Sequence, residues 1–254
     1  MKLFSFFSLF YMSFGFNNKI IVNKPAGYYG FYTLGITSYI KNNYNLDDYN
    51  FIGSSAGAWN SLYSVYKGSS EIFIESILED IDSLKVSTLN DVQKCLKKNI
   101  LQNTKTEDYD FSRLYIGVTV AKKLNDIQPI VYNNFESLED AIDCCIASSH
   151  IPFITGGLVN KYKNLISFDG GISNFNNNIL IEDMEIWFEI NAGLWNNNPE
   201  LYGDIEKTSS TILQKAFYPK KFELLASNLY NAGLQDTCKN KKALDCIFTP
   251  IENI

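Results

Sequence analysis

The chain is 254 residues long, carries a formal charge of −6 with a pI near 4.9, and is 46% hydrophobic, which is ample for one sizeable core. A nucleic-acid binder is expected to show a basic stripe and a high pI, whereas this chain has a single arginine, Arg113, so nucleic acid is not an expected partner. No stretch has the composition of a linker, and residues 17–254 read as a single domain.

Residues 1–16 (MKLFSFFSLFYMSFGF) hold one lysine, then apolar and hydroxyl side chains, then small residues at a spacing suited to cleavage. They read either as a secretory signal or as an apolar leader that forms a buried first strand, and a start at Met12 would remove the first option. The stretch is short for a transmembrane helix. With a signal the protein is expected on the secretory route or at a membrane; without one it is expected in the cytoplasm, peripheral to lipid surfaces. Of five cysteines, Cys95, Cys144 and Cys145 are expected in the core on helices, while Cys238 and Cys246 could pair in an exported protein.

Residues 19–23 (KIIVN) are a β-branched run suited to a buried parallel strand. A loop from Pro25 to Gly30 follows, then a helical pattern carried by Phe31, Leu34, Tyr39 and Ile40. A second strand over 50–52 leads into Gly53-Ser54-Ser55-Ala56-Gly57 and a helix to residue 66. The next helix, 71–84, presents Ile72, Ile74, Ile77 and Ile81 as one face, and Thr88 with Asp91 forms a capping box for a helix ending near 101. The polar stretch 102–110 reads as a surface loop. Residues 113–120 and 129–132 read as strands that pair around Asn125-Asp126, and Ser137 with Asp140 forms another capping box, opening a helix through 146. Pro152 ends the segment ASSHIP; a strand over 165–168 delivers Asp169-Gly170-Gly171; 184–190 is a further strand; two amphipathic helices close the chain, the last over about 220–232. The Asn runs 176–178 and 196–198 read as loop filler. Strands alternating with helices predict a three-layer α/β/α sandwich around a central, mostly parallel sheet.

The motif with the most chemical content is G-x-S-x-G between strand and helix, a tight turn that lifts Ser55 above the sheet, with Gly53 and Gly57 where a side chain would collide as the turn closes. A serine hydroxyl needs a base. The single histidine, His150, lies in a helix exit ahead of the best acid, against the α/β-hydrolase order, and reads as a helix-terminal polar residue rather than a triad base. Asp169 is locally an ordinary Asp-Gly turn, yet a carboxylate at a strand's carboxyl end is expected on the sheet edge that carries the elbow serine, where it can take the serine proton directly. Backbone N–H groups of Ala26 and Gly27, at the start of a helix, are the candidate oxyanion hole. No His/Cys/Asp cluster has metal-ligand spacing and no cofactor is implied. Tyr28, Tyr29, Phe31 and Tyr32 read either as core or as the lining of an entrance.

The glycine loop, GSSAG and DGG in this order resemble the patatin-like phospholipase family, and ASSHIPF before FDGG is similar to a segment of its adiponutrin-like branch. The similarity runs from about Lys19 to Phe175, and NLYNAGLQD resembles a helix that often ends such domains. The resemblance implies a patatin-type α/β/α fold and a lipid acyl hydrolase, acting on phospholipids or other acylglycerols at a membrane or lipid-droplet surface through a Ser55-Asp169 dyad and an acyl-enzyme. The motif glycines would be Gly30, Gly53, Gly57, Gly170 and Gly171, with Ala26 and Gly27 as the oxyanion donors. Pro25 stands where the family has its first glycine, and Tyr28-Tyr29 where many members carry an arginine. A donor lost there would cost on the order of 3 kcal/mol in the barrier. The alternative expectation is therefore a lipid-binding or interaction protein that keeps the fold with a defective oxyanion loop.

Overall fold

A computed structural model describes residues 19–83, 88–123, 126–173, 185–195, 217 and 225–251. The apolar leader, both Asn runs and Asn125 lie outside the described residues. The described strands are β1 (Lys19–Asn23), β2 (Tyr49–Gly53), β3 (Leu114–Lys123), β4 (Asp126–Tyr132), β5 (Asn160–Tyr162), β6 (Leu165–Phe168) and β7 (Glu185–Ile190). They form one mixed sheet in the order β5-β6-β3-β2-β1-β7, with β4 also on β3, flanked by helices; this α/β arrangement is compatible with a three-layer sandwich. The expected mostly parallel sheet is parallel only through β7, β1, β2 and β3, whereas β4 and β6 run antiparallel to β3, and β5 antiparallel to β6.

One detail of the pairing brings two distant turns together. Strand β3 pairs with β2 only up to Ile116 and with β6 only from Thr119 onward, while β4 pairs with both of those stretches. A strand has two edges, so β2 and β6 share the edge opposite β4. They approach along it from opposite directions, β2 ending at Gly53 opposite Ile116 and β6 ending at Phe168 opposite Thr119. The chain leaving β2 therefore meets the chain leaving β6 head-on.

Alternation along the strands sets the core. Ile21, Phe51, Ile116 and Val118 face the main apolar cluster, and Ile20, Val22 and Ile52 face the opposite side with Tyr115 and Val131. The main cluster is closed by α1 (Gly30–Asn43), α2 (Ala56–Ser64), α3 (Ser70–Ser83), α4 (Leu89–Asn103), α5 (Leu138–Ser148), α6 (Ala226–Lys239) and α7 (Lys241–Asp245). Helix α6 lies backbone-to-backbone on α1, since a Cβ on Gly35 would fall 2.1 Å from the Tyr230 carbonyl oxygen and one on Gly233 2.0 Å from that of Tyr32. Tyr32 also donates its hydroxyl to Asp236 of α6. This closing helix starts at Ala226 and ends at Lys239, later than the expected 220–232.

Several elements depart from the sequence expectation. On α3, Ile72 is 67% exposed and Phe73 joins Ile74, Ile77 and Ile81 in the core, because position 72 falls off the stripe defined by 74, 77 and 81. The stretch 102–110 is not a free surface loop: Thr104 and Tyr109 are buried, their hydroxyls bond at 3.0 Å, and Tyr109 bridges to Tyr66. Thr88 and Asp91 form the reciprocal capping box. Ser137 caps α5 through the Asp140 N–H, while the Asp140 carboxylate takes the N–H of Glu136 instead of closing the box. Cys95, Cys144 and Cys145 are buried, and Cys238 and Cys246 are both exposed and unpaired.

Candidate active site

Ser55 occupies the turn between β2 and α2 with φ 56° and ψ −131°. A residue with a Cβ held in such a region costs roughly 1–3 kcal/mol and persists only where its surroundings over-determine it. Here they do. A Cβ on Gly53 would lie 2.0 Å from the Gly57 carbonyl oxygen, and one on Gly57 2.0 Å from that of Asn23, so the turn closes only with hydrogen at both positions. The DGG turn arrives from β6 against the same spot: a Cβ on Gly170 would meet the Gly117 carbonyl oxygen at 2.3 Å and the Ser54 Cβ at 2.7 Å.

Asp169 is 5% exposed. Its N–H donates to the His150 carbonyl at 2.7 Å, its own carbonyl accepts from the Thr119 hydroxyl at 2.8 Å, and its Oδ1 accepts the Gly171 N–H at 2.8 Å. Burial lifts the carboxyl pKa from 3.8 to about 6, against the downward pull of the Ser55 hydroxyl and the Gly171 N–H. The group is thus mostly ionised at neutral pH, yet a stronger base than an exposed carboxylate. Its position has a different origin from the one expected of a parallel sheet. Asp169 does follow a strand's carboxyl end, but that strand is antiparallel to β3 and hence to β2, and the two residues meet because β3 outruns β2 and lends β6 the remainder of its edge.

Ser148, the last residue of α5, ties the two turns together. Its hydroxyl oxygen and its carbonyl both accept the Ser55 N–H, at 2.9 and 3.1 Å. The hydroxyl donates to the Gly117 carbonyl at 2.6 Å, and the Ser148 carbonyl also accepts the Gly170 N–H at 2.9 Å. A plain helix exit at ASSHIP, as the sequence suggests, does not reveal this role. The signal available is two small hydroxyl residues shortly before a strand that ends in Asp-Gly-Gly.

On the other side of Ser55, Gly27 adopts φ 53° and begins a single 3₁₀ turn, Gly27–Tyr29, that feeds α1. The starts of α1 and α2 converge, a Cβ on Gly30 falling 2.7 Å from the Ala56 Cβ. Gly27, Ser55 and Ala56 line one cleft together. Ala26 is not among its lining residues; its carbonyl accepts the Tyr29 N–H. Among the described residues no acceptor engages the N–H of Gly27 or Ala56, as first-turn geometry dictates, and both helix starts favour negative charge. The pair expected from sequence, Ala26 and Gly27, lies wholly on the loop and leaves out Ala56, whose place directly after the elbow serine marks it as a donor position. Pro25 supplies no N–H, and its ring packs on the DGG turn, 3.1 Å from where a Gly171 Cβ would stand.

The cleft extends from Ser55 between α1, α2, α3 and α4, with about 750 Å³ of empty space, open solvent at its mouth included. Its walls are apolar: Tyr28, Phe31 and Leu34 from the first helix and the turn before it, Trp59 and Tyr63 from α2, Phe73 and Ile77 from α3, Val92, Leu96 and Ile100 from α4, and Phe217. Of the early aromatic cluster, Tyr28 and Phe31 face this space, while Tyr32 bonds Asp236 and Tyr29 is buried in the core. Polar groups are few, and Trp59 and Gln93 are tied to Ser149. A comparison with protein-family models finds none that matches, and a search of curated proteins finds no match.

His150 lies outside the cleft lining. It is 3% exposed, burial lowers its pKa, its ring sits beside Phe168, and among the described residues Nε2 has no hydrogen-bond partner. Among the described residues no cluster of three or more His, Cys, Asp or Glu side chains could hold a metal, and no helix is long and apolar enough to cross a membrane.

Proposed function

We propose that this chain is a lipid acyl hydrolase of the patatin-like type, cleaving carboxylic esters of phospholipids or other acylglycerols through Ser55 and Asp169. The observation that carries the reading is a strained serine that faces a buried carboxylate and lines an apolar cleft, walls suited to a fatty acyl chain. Each methylene buried in such a cleft contributes about 0.8 kcal/mol, binding energy suited to an acyl substrate and wasted on a small polar one.

In this mechanism Ser55 Oγ attacks the ester carbonyl as its proton passes to Asp169. The developing oxyanion is held by the N–H groups of Gly27 and Ala56, which replaces the Ala26–Gly27 pair expected from sequence. Collapse of the tetrahedral species returns the proton from Asp169 to the departing alcohol and leaves an acyl ester on Ser55. Water, deprotonated by Asp169, then attacks the acyl-enzyme, and the fatty acid leaves as Ser55 recovers its proton.

The test is hydrolysis of phospholipid and acyl ester by the wild type, Ser55→Ala and Asp169→Asn. Both variants are expected to lose at least about a thousandfold in kcat. Active Asp169→Asn with inactive His150→Ala would point to a histidine base, and equal, negligible turnover in every form would support a lipid-binding protein instead.

A further inference from the structure

The segment after α5 carries a feature that the chemistry at Ser55 does not use. Residues 151–158 fold back on themselves: the Ile151 N–H donates to the Thr155 hydroxyl at 2.8 Å, the Thr155 N–H to the Ile151 carbonyl at 3.0 Å, and the Phe153 N–H to the Gly157 carbonyl at 3.4 Å. At the apex of this hydrogen-bonded turn Phe153 adopts φ 64°, a conformation rare for a bulky side chain, and the residue is 79% exposed. Leu158 and Val159 follow at 61% and 49% exposure. A turn that spends backbone strain to hold an aromatic residue in water is not explained by core packing.

The outer face of α4 lies across a groove from this turn. Lys94, Lys97 and Lys98 line it on one side, Gly156, Gly157 and Val159 on the other, and it holds about 930 Å³ of empty space, open solvent included. Lys97 is neutralised by Asp143 at 2.6 Å and Glu139 at 3.3 Å. Lys94 and Lys98 are exposed and form no ion pair among the described residues. Beyond the groove, Lys161 is exposed and Lys163 pairs loosely with Asp140 at 3.7 Å. In a chain of net charge −6, two lysines that form no ion pair among the described residues, Lys94 and Lys98, thus line the groove beside the exposed apolar turn.

We propose that this turn and the adjoining lysines are a docking surface for an anionic lipid bilayer, with Phe153 and Leu158 inserted at the acyl boundary and Lys94 and Lys98 at the headgroups. Ile151 and Thr155 of the same turn line the cleft that leads to Ser55, so docking would bring one wall of that cleft close to the bilayer. The proposal deepens the acyl-hydrolase reading and takes its purpose from it.

The experiment is cosedimentation of the full chain with vesicles of phosphatidylcholine alone and of phosphatidylcholine containing phosphatidylglycerol, alongside hydrolysis of a soluble short-chain ester and a thermal melt. Wild type is expected to favour the anionic vesicles. The Phe153→Ala/Leu158→Ala variant is expected to bind both kinds roughly tenfold more weakly. Lys94→Gln/Lys98→Gln is expected to lose the anionic preference, roughly fivefold per lysine. Both variants should keep the melting midpoint and the soluble-ester rate. Wild type that sediments with neither vesicle, or binding indifferent to all four substitutions, overturns the docking surface. Soluble-ester hydrolysis without vesicle binding overturns docking alone, whereas vesicle binding lost with Phe153 and Leu158 in a protein that cleaves no ester overturns only the hydrolase reading.

Discussion

Replacing Asp169 with Asn should abolish turnover and at the same time make the protein more stable at neutral pH. Burial raises the carboxyl pKa from 3.8 to about 6. Two units at about 1.4 kcal/mol each mean that the ionised form is disfavoured in the folded state by about 3 kcal/mol. The sign follows from proton binding: between pH 4 and 6 the folded chain holds a proton that the unfolded chain has released, so stability falls as pH rises through that window and is lowest above it. Asparagine removes the charge while its oxygen can still accept the Gly171 N–H that Oδ1 accepts now. The expected gain at pH 7.5 is about 1–3 kcal/mol, seen in urea denaturation and as a melting midpoint several degrees higher, at about 2–4 °C per kcal/mol. Near pH 4 the wild-type carboxyl is protonated in the folded state, and the two proteins should agree within about 0.5 kcal/mol. A variant less stable than wild type at pH 7.5, or a gain of the same size at pH 4, would refute the account of Asp169 as a desolvated base.

The same pKa sets the pH profile. The ascending limb of kcat/KM should lie near pH 6, with a plateau above it, and should persist in His150→Gln; a limb that vanishes with the histidine would reassign the base. Filling the distal cleft with Ile77→Trp should leave short-chain esters as substrates and cut turnover of long-chain esters by about tenfold or more, and a uniform loss across chain lengths would mean that the acyl chain lies elsewhere. Ser148→Ala leaves the buried Gly117 carbonyl without its hydroxyl donor and the Ser55 N–H with one acceptor instead of two. A loss of about 1–2 kcal/mol in denaturation is expected, together with a lower kcat at nearly unchanged KM. An equal loss of stability with full kcat would make Ser148 purely structural.

Local chemistry is legible in the sequence where a single residue type has a single steric job. The elbow glycines, the Thr88–Asp91 capping box, the β-branched run of β1 and the proline exit after α5 all stand where the pattern places them. Pairing direction is not legible. The strand over 165–168 has the same pattern whether it runs with or against its neighbour, because alternation records burial and not orientation. Nor can the pattern show that β3 outruns β2, since ten consecutive strand residues carry no mark of where one partner stops and another begins. On α3 the run of isoleucines suggests one face, although three of the four define a stripe from which Ile72 departs. Ser148 is hidden for a further reason: its contribution lies in two backbone and two side-chain hydrogen bonds that exist only once three distant segments meet.

Two features of the elbow region work against folding. Ser55 holds a backbone conformation costing roughly 1–3 kcal/mol, and Asp169 holds a carboxylate whose ionised form burial disfavours by about 3 kcal/mol at neutral pH. Set against the roughly 5–15 kcal/mol of net stability usual for a folded domain, that is a large concession within one pair of turns. Neither cost is required by the layers around it. A non-glycine residue in a standard turn between β2 and α2, and any apolar residue at the end of β6, would serve the packing at lower cost. The turns keep both because Gly53, Gly57 and Gly170 allow backbones to touch, and because Ser148 bonds each turn to the other. Strain and a buried charge placed face to face beside an apolar cleft are the physical ground for reading Asp169-Gly170-Gly171 as half of a reactive pair, where its sequence alone reads equally well as a turn.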